Sequence, residues 1–70
     1  MMNEIKIDEP FIKLGQLLKL AGIADSGSYA KLFISDGLVK VNGEVDTRRG
    51  RKVYPGDCVT FEDQTIKIVD

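Results

Sequence analysis

The sequence contains no histidine and a single cysteine, Cys58. One thiol closes no intramolecular disulfide, and without histidine neither a usual zinc site nor a Cys–His nucleophile can be assembled. Cys58 therefore reads as a small apolar strand residue. The acids are scattered over loops and termini, with no pair in opposed environments for general acid–base work. Asp25, Asp36, Asp46 and Asp57 each stand beside a cap or turn, where a carboxylate bonds nearby backbone. Gly37, Gly43, Gly50 and Gly56 lie at turn spacing rather than clustered before a helix, so no phosphate loop is present. No enzyme, metal site or cofactor is expected. No apolar run approaches the roughly 20 residues of a membrane span, and Glu4, Asp8 and Glu9 stand where an export signal needs cations. A cytoplasmic protein is expected.

What the sequence does contain is the composition of an ordinary folded domain. Its 70 residues are 43% hydrophobic and 30% charged, enough for one small core and too few for two. The net charge is −1, but the charge is unevenly spread. Residues 1–10 sum to −2, residues 11–52 to +4 and residues 53–70 to −3. Polyanions respond to a local field rather than to the total, so the positive middle of the chain is the region to follow.

Hydrophobic periodicity divides the chain. "NEIKID" alternates and predicts a short strand or extended arm, ended by Pro10. Leu14, Leu17, Leu18 and Ala21 stand at i, i+3, i+4 and i+7, predicting a helix over about residues 12–21 that closes at Gly22. Lys13, Gln16 and Lys19 fall outside that stripe and face water. Gly15 within it costs roughly 1 kcal/mol relative to alanine, which points to close packing or close approach of a ligand. A second helix follows, with Asp25, Ser26 and Ser28 as possible N-caps, Ala30, Phe33 and Ile34 as its buried stripe, and Gly37 as its end. Beyond it the period becomes two. "LVKV" and "EVDT" flank Asn42–Gly43, the type I′ hairpin pair. "KVY" leads into the Pro55–Gly56–Asp57 turn, and "CVTF" and "TIKIV" form a last hairpin. The order predicts an α+β fold, two N-terminal helices packed on one face of a small antiparallel sheet.

Arg48, Arg49, Arg51 and Lys52 crowd into residues 48–52, between two apolar runs. A basic run of this kind is most often a solvated loop. Three features argue for more. Lys13, Lys19, Lys31 and Lys40 belong to the same half of the fold. Arginine dominates the loop, and its planar fork suits bidentate phosphate contacts. Gly50 interrupts the cations and lets the backbone bend toward a ligand.

Taken together, "IKLGQLLKLAG", "SGSYAKLFISDGLVKVNGEV" and "RRGRKVYPGD" resemble an S4 domain, the small RNA-binding module, in its stand-alone bacterial form associated with ribosome maturation. The resemblance runs from Ile12 to Phe61, the core of one domain spanning residues 1–70. It implies two helices against a curved antiparallel sheet, the αL motif, with RNA lying across the helices and the adjoining hairpin. By position it implies RNA contacts at Lys13, Ser26, Lys31, Lys40 and Asn42. Gly27 stands where the family typically has arginine, and Gly15 replaces a common aspartate, which weakens the usual phosphate clamp on the second helix. The "RRGRK" loop is expected to supply the missing charge.

The resulting expectation is a non-catalytic, monomeric protein that binds structured RNA, expected to be ribosomal, and ribosomal particles. The expected contacts are Lys13, Lys19, Ser26, Lys31, Lys40, Asn42, Arg48, Arg49, Arg51 and Lys52. Replacing Arg48 and Arg49 together with alanine is expected to weaken RNA binding while leaving the melting temperature nearly unchanged. Stacking of Tyr29 or Tyr54 on an unpaired base is a lesser expectation. The alternative is a protein-interaction module that docks on an acidic partner, with the basic loop as its electrostatic guide.

Overall fold

A computed structural model describes residues 2–70. In chain order the elements are β1 (Met2–Lys6), β2 (Ile12–Lys13), α1 (Leu14–Leu20), α2 (Gly27–Ser35), β3 (Val39–Val41), β4 (Glu44–Val45), β5 (Lys52–Val53), β6 (Cys58–Phe61) and β7 (Gln64–Val69). Five strands form one sheet in the order β1-β7-β6-β3-β4, and β2 and β5 form a separate two-stranded ladder. The fold is thus α+β with two helices, as the periodicity predicts. The sheet is mixed rather than antiparallel, because β1 pairs parallel to β7, with Ile5 opposite Ile68. The helices consequently follow a strand and do not open the fold.

Leu14, Leu17 and Leu18 of α1 and Ala30 and Ile34 of α2 are buried in one cluster with Val39, Val41, Val53, Val59, Phe61, Ile66 and Ile68. Helices this short are marginal in water, so this packing stabilises them rather than intrinsic propensity. Both end the same way. After α1, Gly22 adopts φ +76°, its N–H donates to Lys19 O and the Ile23 N–H donates to Leu18 O. After α2, Gly37 adopts φ +77°, with its N–H on Ile34 O and the Leu38 N–H on Phe33 O. These are paired Schellman ends, which need the left-handed conformation that glycine adopts without penalty. A Cβ at Gly37 would stand 3.6 Å from Val45 Cγ1, an ordinary contact. Gly37→Ala is therefore expected to destabilise through backbone strain alone. About 1 kcal/mol is lost, and thermal unfolding should show a drop of roughly 4–8 °C.

The helix starts are different from each other. Of the three candidate N-caps of α2, the chain uses Ser26, whose extended backbone lets Oγ accept from the Tyr29 N–H at 3.3 Å. The start of α1 has no side-chain cap. Its predicted first residues, Ile12 and Lys13, pair instead with Val53 and Lys52 as a strand. The first free N–H groups are taken by the basic loop: Leu14 N donates to Arg51 O at 2.8 Å and Gly15 N to Arg49 O at 3.0 Å. Gly15 is close-packed for the same reason, since a Cβ there would lie 3.5 Å from Arg49 O.

The Asn42–Gly43 turn has positive φ at both residues, 53° and 87°, as a type I′ hairpin requires. Val39 and Val41 point into the core, so strand alternation places Lys40 on the sheet face away from the helices.

Candidate nucleic-acid interface

The loop between β4 and β5 is organised by one carboxylate. Asp46 has a side chain only 6% exposed, although it lies among arginines on an irregular segment. Its Oδ1 accepts from the Arg48 N–H at 2.9 Å and from Arg48 Nε at 3.1 Å. Its Oδ2 accepts from Arg48 Nη2 at 2.9 Å and from Arg51 Nη1 at 2.7 Å. The Arg48 guanidinium, assisted by the Arg48 N–H and by Arg51, holds this carboxyl well below the usual carboxylate range against the opposing effect of burial. The same contact raises the already high pKa of Arg48. Two of the four cations in the basic run are therefore neutralised in part by a buried acid. The loop they brace presents the Arg49 and Arg51 carbonyls to the start of α1.

Arg49 is left facing outward, and it meets three lysines. Lys13 and Lys19 from the two ends of α1, Lys31 from α2 and Arg49 from the loop line one groove of about 340 Å³, together with Gly15, Gln16, Gly27, Ala30 and Gly50. No carboxylate lines it. None of the four cations forms an ion pair among the described residues. A groove walled by one sign of charge focuses field lines and concentrates counter-ions, here anions. The glycines matter by what they leave open. A Cβ at Gly27 or Gly50 would meet nothing within 4 Å, so a ligand reaches main chain at both walls.

The other expected contacts lie elsewhere. Lys40 is on the opposite sheet face, where it cannot share this groove. Arg48 and Arg51 are held by Asp46. Ser26 caps α2. Asn42 is a brace: its Nδ2 donates to Asp57 Oδ1 at 3.0 Å and its Oδ1 accepts from the Cys58 N–H at 2.9 Å. That ties the first hairpin to the Pro55–Gly56–Asp57 turn, whose Asp57 Oδ2 also accepts from the Tyr54 N–H. Lys52 pairs in register with Lys13, yet its Nζ stands 4.9 Å from the centroid of the Phe11 ring. Tyr54 packs against Phe11 and Tyr29 against Phe33, at centroid separations of 5.9 and 6.2 Å. Neither tyrosine lines the groove. The residues that sequence reasoning missed are Asp46 and Gln16. No local signal separates the first from the other turn aspartates.

This division changes the expectation for the arginines. Arg48→Ala removes two bonds to a buried carboxylate and is expected to lower the melting temperature. Arg49→Ala removes no bond made by its side chain and should leave unfolding unchanged while weakening polyanion binding. Thermal melts and affinity measurements on the two single variants separate these effects.

Comparison with known proteins places the arrangement. The family model for the S4 domain matches residues 5–69. The chain belongs to the S4 domain family. Among its relatives, a Bacillus subtilis (strain 168) protein provisionally named ribosome maturation protein RlbA is 55% identical over 62 residues, covering 89% of this chain and 87% of the relative. A second, from Escherichia coli (strain K12) and provisionally named RNA-binding protein YbcJ, is 42% identical over 60 residues, covering 86% of each chain. The solution structure of Escherichia coli YbcJ superposes with a TM-score of 0.70 at 36% identity, over 99% of this chain and 86% of that one. That structure is described as revealing an ALFAL motif involved in RNA-binding. In this S4 domain the family match reaches back to residue 5, at the end of β1, ahead of the segment that carried the resemblance in sequence.

Proposed function

We propose that this S4 domain is a non-catalytic RNA-binding protein, acting as a cytoplasmic monomer in ribosome assembly or maturation. Its whole chain serves as one binding unit that recognises structured ribosomal RNA, free or within ribosomal particles. The observation that carries this reading is the convergence of Lys13, Lys19, Lys31 and Arg49 on one groove without a carboxylate. The names of the relatives agree with it. Double-helical RNA hides its major-groove edges, so a wall of cations suits it by following the phosphates and the groove shape. Arg49 faces the position where Gly27 replaces the family's customary arginine, and the loop thereby restores a cation that α2 lacks.

Affinity for ribosomal RNA fragments across a salt series tests this. Four phosphate contacts at roughly 0.7–0.9 each give a slope of log K against log salt of about −3. A flat dependence, or capture of a defined protein complex that survives ribonuclease, would instead favour docking on an acidic protein partner.

A further inference from the structure

The cationic groove continues into a larger concavity of different chemistry. This second space, about 580 Å³, lies between the β1–β2 connection and α1, and it shares Gln16 and Lys19 with the groove. Its size falls within the range of about 300–1,000 Å³ common to small-molecule sites. Away from Lys19 the lining is mixed, with Lys6 beside the apolar Ile7, Phe11, Ile12 and Leu20. Phe11 and Ile12 are half-buried there, and Leu20 is exposed. Tyr54 and Lys52 both contact Phe11 and hold its ring in place. Asp8 and Glu9 complete the wall, and neither forms an ion pair or a side-chain hydrogen bond among the described residues.

Asp8 and Glu9 offset Lys6 and Lys19 in this lining, so the space offers a phosphate no net positive wall of the kind the groove presents. An unpaired base suits its mix of aromatic, apolar and carboxylate lining. Bases splayed from a structured RNA stack on aromatic and apolar side chains and are read along their Watson–Crick edges. A carboxylate offers two acceptor oxygens and no donor. Of the four bases, guanine alone presents two adjacent donors on that edge, N1–H and N2–H₂.

Resting on the RNA reading of the groove, we infer that this concavity receives one unpaired guanine of the bound RNA, its backbone phosphate at Lys19 and its edge donating to the Asp8–Glu9 carboxylates. The groove supplies affinity and the adjoining concavity supplies base identity. The competing role for Asp8 and Glu9 is a plain electrostatic fence that repels every RNA alike.

Fluorescence anisotropy with uridine heptanucleotides carrying guanosine, inosine, adenosine or uridine at the centre tests the inference, using the full chain and its D8N/E9Q variant. Both positions are exposed loop residues, so the variant keeps the fold. The wild type is expected to bind the guanosine oligomer about tenfold more tightly than the inosine one, which lacks only the 2-amino group. In D8N/E9Q that preference should vanish, while binding of the all-uridine oligomer holds or strengthens because two negative charges are gone. Equal wild-type affinity for guanosine and inosine, or a variant that gains equally on every oligomer, would overturn the inference. Salt-dependent binding without base preference overturns the guanine site and leaves the groove intact; absence of salt-dependent binding overturns both.

Discussion

Replacing Lys13, Lys31 and Arg49 together with alanine is expected to weaken binding to ribosomal RNA about a hundredfold at low salt, with little change in thermal stability. Each charge-assisted phosphate contact contributes on the order of 1 kcal/mol net, and three of them give that factor. All three side chains are exposed and none forms an ion pair among the described residues, so no folded-state interaction is lost with them. The salt slope should fall with the affinity, by about 2 for three contacts. A matched variant on the far sheet face, Lys40→Ala with Lys67→Ala, removes two charges without touching the groove. It is expected to change binding by no more than a few-fold. Filter binding or anisotropy on both variants distinguishes a located site from a diffuse cationic cloud.

The second large effect concerns stability. Asp46→Asn is expected to destabilise the fold by about 2 kcal/mol, the range for hydrogen bonds to a charged group lost from a buried position. In a domain of this size that corresponds to a melting temperature lower by roughly 10 °C. The figure stays below that for a fully buried ion pair because the Arg48 side chain is 70% exposed and keeps its water when its partner goes. A pH dependence follows from the same contact. The folded state holds the Asp46 carboxyl below its ordinary value, so the unfolded chain binds the proton first as pH falls. The stabilisation is therefore complete above the ordinary carboxylate pKa of about 3.9 and is lost progressively below it. Wild type should lose more stability between pH 5 and 3 than the Asp46→Asn variant does, as denaturant titrations at the two pH values would show.

The two helices were legible because a 3.6-residue stripe and a closing glycine are local signals, and Leu14, Leu17, Leu18 and Ile34 are buried where the spacing puts them. The Asn42–Gly43 hairpin was legible for the same reason. The parallel pairing of β1 with β7 was not, because nothing near Ile5 in the chain encodes a partner more than sixty residues away. The start of α1 was misplaced by two residues because β5 claims Ile12 and Lys13 across a long separation. Within the site, Lys13 and Lys19 could be placed on the water side of the first apolar stripe, and with Lys31 they do line one groove. The basic run could not be divided in this way. Its conformation is irregular, so no periodicity tells which arginine turns inward, and the answer depends on a buried Asp46 that resembles any other turn aspartate in the sequence. Lys40 is a different case: the alternation of "VKV" already set it opposite the two core valines, on the face the helices do not cover.

The central claim is that cations separated along the chain act as one surface facing RNA. Amide and side-chain NMR of the protein titrated with a ribosomal RNA fragment tests it most directly. Perturbations are expected at Lys13, Gly15, Lys19, Gly27, Lys31 and Arg49, with Lys40, Thr60 and Lys67 on the far side unaffected. Shifts centred on the outer sheet face, or spread evenly over both, would contradict the account.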